Sequence, residues 1–370
     1  MPSSFDNDMM ARALRLARRG LYTTDPNPRV GCVIVRDEEI VGEGFTSPIG
    51  GPHAEANALL MAGDAARGAT VYVTLEPCSH HGRTPPCSDA LIKAGVKRVV
   101  YSVADPNPQV NGSGAAALQA AAIKVSSGLM AAQARELNIG FFHRMTMGRP
   151  WVTVKVGASI DGKTALANGT SQWITGEESR ADVQRQRARS SAIMTGSGTI
   201  FADDPRLTVR APEIDMQGRH VLRVICDSPL KTPSTAKIFK EPGSVLLFTT
   251  RDDETLIAPL VAVGAEVLQV AADENGRVDL PSALKALDTR GCNELLVEAG
   301  PRLSGRLVEL GLVDELLIYM APIVLGNESR SMFAMPQIET MAARWNYQLH
   351  DVGRTGKDMR VRLRPVKQGE

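Results

Sequence analysis

Apolar residues in the first part of the chain change period several times. Met10, Ala13, Leu14 and Ala17 recur at three- and four-residue spacing, which predicts a helix that Gly20 is placed to end. Val30 to Val35 is a continuous apolar run of strand length. Asp37-Glu38-Glu39 turns it, and Ile40 to Phe45 runs back, so a hairpin is expected. Gly50-Gly51-Pro52 opens a further helix through Ala54, Ala58, Leu59 and Met61. Thr70 to Leu75 reads as a strand, Asp89 to Ala94 as a helix and Val96 to Val103 as a strand, and a helix–strand–helix passage covers Ala115 to Asn138. This is the pattern of an α/β/α layered domain. Phe141 to Pro150 then shows no clear period, and the domain boundary is placed near residue 147.

Beyond it the strand-like runs are Trp151 to Val156, Ala192 to Thr195, Val221 to Cys226, Ser244 to Phe248, Glu266 to Val270, Glu294 to Val297 and Glu315 to Met320. Helical segments lie between several of them, so residues 148–370 are expected to form a second α/β domain after a first over 1–147. The length of 370 residues agrees with two domains at roughly 150 residues each.

Composition narrows the function classes. Lys and Arg number 42 against 41 Asp and Glu, and the split at 147 gives 14 against 13, then 28 against 28. Neither part has the basic footprint of a nucleic-acid binder. Aromatic residues are 4%, too few for a base-stacking platform. No run of 18 apolar residues exists, so no membrane span is expected. The start of the chain lacks signal-peptide grammar, and a cytoplasmic location is expected by default. Five cysteines in a reducing compartment read as thiols or metal ligands rather than disulfides. Of these, Cys32, Cys226 and Cys292 are expected to be buried strand thiols. His143, His220 and His350 have no partner motif.

Candidate chemistry in the first part sits in three pieces: His53-Ala54-Glu55, Glu76-Pro77-Cys78, and Cys87. Imidazole and thiolate are zinc ligands, and three of them leave the fourth position open for water. A nearby carboxylate that is not a ligand can then move protons, and Glu55 is the candidate. Residues two apart on a helix face different ways, so His53 and Glu55 can serve one site only at a helix entry. On local spacing alone, His80 and His81 could instead join Cys78 and Cys87 in a closed four-ligand site. That alternative leaves His53-Ala54-Glu55 unexplained.

The three pieces resemble the cytidine-deaminase signature, in which H-x-E is followed by P-C-x-x-C. Here eight residues separate the cysteines. With that spacer, Thr74 to Cys87 and the upstream Pro26-Asn27-Pro28-Arg29-Val30-Gly31 resemble the deaminase domain of the bifunctional riboflavin-biosynthesis deaminase–reductase family. The resemblance implies one zinc per chain on His53, Cys78 and Cys87, proton transfer by Glu55, and a pyrimidine contact at Asn27. Asp105-Pro106-Asn107-Pro108 and Asn111-Gly112-Ser113-Gly114 read as turns, and within the family would help shape the substrate pocket.

In the second part the usual glycine-rich dinucleotide fingerprint is absent. Leu295 to Gly305 instead reads as strand, Gly-Pro turn and helix, whose free N–H groups can hold a pyrophosphate. Ile193 to Ile200 is a second glycine-rich strand exit. Arg187, Arg206 and Arg210 suit a phosphate monoester, although Arg185, Arg187 and Arg189 can equally be surface helix charges. Lys155 to Thr164 and Ser171-Gln172-Trp173-Ile174-Thr175 resemble the reductase domain of the same family. This implies a dihydrofolate-reductase-like α/β fold using NADPH, behind a cytidine-deaminase-like α/β/α domain. Cofactor contacts carried over are Gly157, Trp173, Thr199, Asp203, Gly300, Pro301, Arg302, Leu303, Ser304, Gly305 and Arg306. Substrate contacts carried over are Ser171, Arg187, Leu207, Arg210 and Glu298. Lys155 and Asp161 lie in the motif without an assigned role.

The implied chemistry is hydrolytic deamination of a diamino-(phosphoribosylamino)pyrimidinone, then reduction of its ribosyl group to ribityl by NADPH. The expected partner is that small phosphorylated pyrimidine, with no nucleic acid and no membrane, and self-association is left open. Two other readings are a nucleoside or tRNA deaminase fused to an unrelated domain, which the spacer and charge disfavour, and a non-catalytic zinc module, which needs a closed fourth ligand and a basic face.

Overall fold

The computed structural model describes residues 3–79, 85–107 and 110–366. It divides into two compact units, Met1–Gly148 and Arg149–Glu370.

The first unit contains α1 (Ser4–Arg18), β1 (Gly31–Arg36), β2 (Glu39–Phe45), α2 (Ala54–Ala62), β3 (Thr70–Val73), α3 (Cys87–Ala94), β4 (Arg98–Tyr101), α4 (Ser113–Ala120), β5 (Lys124–Ser127), α5 (Ala131–Leu137) and α6 (Ile139–Met147). Its sheet has the order β2-β1-β3-β4-β5. β1 runs antiparallel to β2 and β3, whereas β3, β4 and β5 are parallel. Alternation along the strands splits the core between two faces. Met10 and Ala13 of α1 cover Val33, Val35, Tyr72 and Val100. On the other face Ala54, Ala58 and Ala62 of α2 and Leu91 of α3 pack with Cys32, Ile34, Val71 and Val73.

α2 lies unusually close to the sheet because Gly42 and Gly44 leave room for its backbone. A Cβ on Gly44 would stand 2.3 Å from the Ala54 carbonyl oxygen, and one on Gly42 2.3 Å from that of Ala58. These glycines seat the start of α2, where His53 and Glu55 lie.

Residues 139–147 are helical, where the sequence pattern showed no period. Leu137, Phe141, Phe142 and Met145 form the apolar stripe that packs this helix against the core, and the stripe is visible only when read from before residue 141.

The second unit comprises β6 (Trp151–Ser159), β7 (Lys163–Ala165), α7 (Glu177–Arg189), β8 (Ala192–Gly196), α8 (Ser197–Asp203), β9 (Leu222–Cys226), β10 (Val245–Thr249), α9 (Glu254–Val261), β11 (Ala265–Gln269), α10 (Leu280–Thr289), β12 (Glu294–Val297), α11 (Pro301–Glu309), β13 (Glu315–Ala321), β14 (Arg330–Ser331), β15 (Tyr347–Thr355) and β16 (Asp358–Pro365). Nine strands form one sheet in the order β11-β10-β9-β8-β12-β6-β13-β16-β15. All are parallel up to β13, after which β16 and β15 return as an antiparallel hairpin. Val152, Val154, Val156 and Ala158 face one core with Leu295 and Val297. The opposite side of the sheet carries a second cluster around Ile193, Ile225 and Leu247.

Two cysteine expectations need correction. Cys226 ends β9 only half-buried, and Cys292 is buried but precedes β12. Cys32 is a fully buried strand thiol on β1. No helix among the described residues is long and apolar enough to cross a membrane.

Candidate active sites

At one end of the first sheet four chain segments meet. β3 and β4 are parallel, so the exits carrying Cys78 and Asp105 emerge together. β1 is antiparallel to β3 and β2 to β1, which brings the start of β1, after Asn27, and the end of β2, before His53, to the same edge. The polypeptide thus delivers residues far apart in sequence to one place, at the carboxyl ends of the parallel strands where α/β sheets commonly bind ligands.

His53 is the N-cap of α2 and Glu55 its second residue. The pair therefore occupies a helix entry, where backbone direction changes and both side chains can turn to one point. His53 Nδ1 lies 3.6 Å from Cys78 Sγ and 3.3 Å from Cys87 Sγ. The three donor atoms all fall within 4.8 Å of one another. Tetrahedral zinc with ordinary bond lengths needs nitrogen–sulfur separations of about 3.6 Å, so the donor set fits that ion. Cys87 begins α3, and its backbone N–H donates to Cys78 Sγ at 3.4 Å. A helix start facing Cys78 favours the thiolate. The Cys78 thiol is held well below its ordinary range, chiefly by the hydrogen bond with Cys87 and then by His53, against the effect of burial. Cys87 is correspondingly pushed up. Glu55 is buried, which pushes its carboxyl up to about 7; the Cys78 thiolate adds to the rise, and hydrogen bonds at its own backbone and at Cys87 oppose it, with His53. His80 and His81, the alternative ligands, lie outside the described residues.

Asn27 is half-buried in the loop before β1, its N–H donating to the Thr24 carbonyl at 2.9 Å. The next turn is clamped from afar. Asn138 accepts from the Arg29 N–H at 2.7 Å and donates to the Arg29 carbonyl at 2.9 Å.

In the second unit, Lys155 on β6, Arg187 on α7 and Glu298 after β12 form a charge cluster. Arg187 Nε and Nη2 donate to the two Glu298 oxygens at 2.6 and 3.0 Å, and its Nη1 donates to the Thr208 carbonyl at 2.9 Å. Lys155 Nζ stands 3.3 Å from Glu298. The structure thus engages Arg187 within the chain, where sequence alone offered it to a phosphate. Arg210 differs. No carboxylate pairs with its guanidinium among the described residues; burial lowers its affinity for the proton, and the nearby Arg187 and Arg206 cations lower it further. A cation crowded by cations is suited to an anion.

Burial alone would raise the Glu298 carboxyl, yet Arg187 and Lys155 prevail and bring it from the ordinary 4.5 to about 2. The unfolded chain therefore takes up a proton that the folded chain refuses as pH falls. The stabilisation is complete above about pH 4.5 and is lost as pH falls through about 2, amounting to about 3 kcal/mol by linkage. All three tryptophans lie in the second unit, at 151, 173 and 345, so their fluorescence follows its unfolding. The stability gap between the parent and Glu298→Gln is expected to narrow by about this amount as pH is taken from 6 towards 2; a gap independent of pH would contradict the charge cluster.

β8 and β12 are parallel neighbours, and their glycine exits sit side by side. A Cβ on Gly300 would be 4.0 Å from Thr199 Oγ1. Gly300 caps α11 with no side-chain cap bond, and Pro301 is its first residue, so the N–H groups of Arg302 and Leu303 are left without side-chain capping. Gly157 lies on β6, where a Cβ would stand 3.4 Å from Thr175 Cγ2. Trp173 is 71% exposed, with the Arg180 guanidinium 4.5 Å from its ring centre. Ser171 is half-buried in the same loop, and Asp203 is exposed at the end of α8.

Other carried-over positions have structural partners. Ser304 donates to the Ala299 carbonyl at 3.4 Å. Gly305 is required where a Cβ would stand 2.4 Å from the Ala334 carbonyl oxygen. Arg306 pairs with Glu274 at 2.6 Å and Glu309 at 3.0 Å. The Leu207 side chain is in the core, so a ligand can meet that residue only through its backbone. Asp161 accepts from the N–H groups of Leu325 and Gly326 and latches two loops together.

The fold and the two sites define a class: a cytidine-deaminase-like zinc unit joined to a pyridine-nucleotide reductase unit. Residues 3–103 match the cytidine and deoxycytidylate deaminase zinc-binding region, and residues 150–361 match the RibD C-terminal domain. Riboflavin biosynthesis protein RibD of Escherichia coli is 47% identical over 97% of this chain and 99% of its own, and that of Haemophilus influenzae is 43% identical over 98% of each. A solved structure of Acinetobacter baumannii RibD has a TM-score of 0.91 at 43% identity, covering 98% of this chain and 99% of that one. A second, from Thermotoga maritima, has a TM-score of 0.85 at 32% identity over 98% and 99%. Its description is diaminohydroxyphosphoribosylaminopyrimidine deaminase/5-amino-6-(5-phosphoribosylamino)uracil reductase. The chain belongs to the RibD family, the bifunctional deaminase–reductases of riboflavin biosynthesis. It combines a zinc-binding deaminase unit with a reductase unit of the type that uses NADPH.

Proposed function

We propose that residues 1–147 deaminate the diaminopyrimidinone phosphate named in the Thermotoga description, and that residues 148–370 reduce the ribosyl group of the product. The observation that carries this reading is the meeting of His53, Cys78 and Cys87 beside buried Glu55.

His53 Nδ1 and the Cys78 and Cys87 thiolates would hold zinc. Bound there, the ion supplies the Lewis acidity that makes water a nucleophile at neutral pH. Glu55 would accept a proton from the attacking water and return protons to the ring nitrogen and the departing ammonia. Burial keeps bulk water from competing for those protons. Asn27 meets the pyrimidine from the loop before β1.

In the second unit Gly157, Trp173, Thr199, Asp203 and the turn Gly300 to Arg306 border the NADPH site. Bound there, NADPH would supply the hydride, and the chain's part would be to hold it against the ribose carbon. Arg302 and Leu303 would offer their uncapped N–H groups to its pyrophosphate. Arg210 holds the substrate phosphate, Ser171 and the Leu207 backbone border the same molecule, and Glu298 orients it together with Arg187. Phosphate binding remote from the reacting carbon supplies positioning energy. Arg210→Ala is expected to raise the reductase KM about 10–100-fold with little change in kcat, the scale of a charge-assisted bond; an unaltered KM would remove Arg210 from the phosphate site.

The near-zero charge of both parts supports a small-molecule partner rather than nucleic acid. Metal analysis with an NADPH titration tests the cofactor reading. One zinc per chain and saturable NADPH binding are expected; zinc without NADPH binding would favour a metal-stabilised module.

A further inference from the structure

We propose that Glu76 is a positioning residue for the deamination, fastening Asp105 and the start of α4 to the strand exit that carries Cys78. The proposal rests on the deaminase reading and adds to it a residue that touches neither metal nor reacting atoms.

Glu76 leaves β3 two residues before Cys78, and its side chain is buried. Its backbone N–H donates to the Val103 carbonyl at 2.9 Å, which carries the β3–β4 pairing on beyond the strands. Its carboxylate then reaches across. One oxygen accepts from the N–H groups of Asp105 at 3.3 Å and Gly112 at 3.1 Å. The other accepts from the Ala115 N–H at 3.1 Å. Gly112 is the N-cap of α4 and has no side chain to cap it. Glu76 therefore supplies the cap from 39 residues away, as an anion at a helix start.

Two more contacts join the same segments. A Cβ on Gly114 would stand 1.8 Å from the Pro77 carbonyl oxygen, so α4 begins directly against the residue before Cys78. The Ser79 and Ser113 hydroxyls are 2.5 Å apart. The parallel strand exits that carry Cys78 and Asp105 are thus locked as one piece. On this proposal, substrate beside Cys78 takes its position from Asp105 and the start of α4, which Glu76 holds.

Glu76→Gln keeps the size of the side chain but removes the charge and turns an amide donor towards backbone donors. In the full chain, the KM for ammonia release from the diaminopyrimidine phosphate is expected to rise about tenfold or more, the scale of a lost charged hydrogen bond. kcat should stay within about threefold, far from the loss that removing a proton-transfer group brings. Zinc content and NADPH oxidation with the deaminated intermediate should match the parent. Gly112→Ala reads the same connection independently: its φ of +88° disfavours any Cβ, and the added atom meets nothing within 4 Å. A smaller rise in KM is expected there, again with zinc retained. An unchanged KM in whichever variant is soluble, or loss of zinc from Glu76→Gln, overturns the inference. Absence of ammonia release from the parent chain would instead mark failure of the deaminase reading itself.

Discussion

Glu55→Gln is expected to bind zinc as the parent does and to release ammonia at least about 10²–10⁴-fold more slowly, the share that a positioned acid–base group contributes. The substitution is nearly isosteric, and Glu55 is not one of the three clustered donors. What disappears is a group able to accept a proton and give it back. Because the side chain is buried at the second position of α2, no solvent path replaces it. The reductase unit provides the internal control. Given the deaminated intermediate, the variant should still oxidise NADPH at the parent rate. Deamination at the parent rate would remove Glu55 from its assigned role, and loss of zinc would mean that it supports the metal instead.

The second large effect is expected from Glu298→Ala. Arg187 donates two of its N–H groups to this carboxylate, and Lys155 stands 3.3 Å away. Removing the anion leaves two cations facing each other in a largely enclosed site. Breaking one side of such a pair costs about 3–5 kcal/mol, mostly from the uncompensated charge left behind. Tryptophan fluorescence should therefore report an earlier unfolding transition, and reductase activity should be lost with it. Ammonia release, which belongs to the other unit, should persist. The double variant with Arg187→Met is expected to recover stability without recovering reduction, because the stranded cation is gone but the carboxylate proposed to orient the substrate is still missing. Full stability in Glu298→Ala alone would show that the cluster carries little energy.

Much of the fold could be read from side-chain period. The α1 stripe and the run Val30 to Val35 identify their elements because each buries one set of positions against a partner layer. His53-Ala54-Glu55 also carried a geometric demand, that the pair lie at a helix entry, and His53 is the N-cap. The C-terminal hairpin was not foreseen. Exposed Leu349 and Val352 and the arginines of β16 blur the alternation that marks a half-buried strand. The short α6 was hidden for another reason: its stripe begins in the preceding helix.

The site was only partly legible. Ligand types and spacing point to zinc chemistry, because few other tasks need imidazole, two thiolates and a spare carboxylate. Sequence shows Arg187 as a cation but not its partner, because Glu298 lies 111 residues away. Asn138 carries no signal of its kind and Glu76 shows only as a neighbour of Cys78, since both act on backbone N–H and carbonyl groups. Such work leaves a trace only in a neighbouring glycine or an unusual polar residue at a strand exit, as with Gly112, Gly114 and Glu76.

The central claim is that one chain performs two successive reactions in separate units. The most direct measurement follows ammonia release and NADPH loss separately, in one solution of the full chain with the diaminopyrimidine phosphate. Ammonia should appear without NADPH, and NADPH should be consumed only after deaminated product forms, in equal amount at completion. NADPH consumption without ammonia, or ammonia release with no later NADPH loss, would contradict the account.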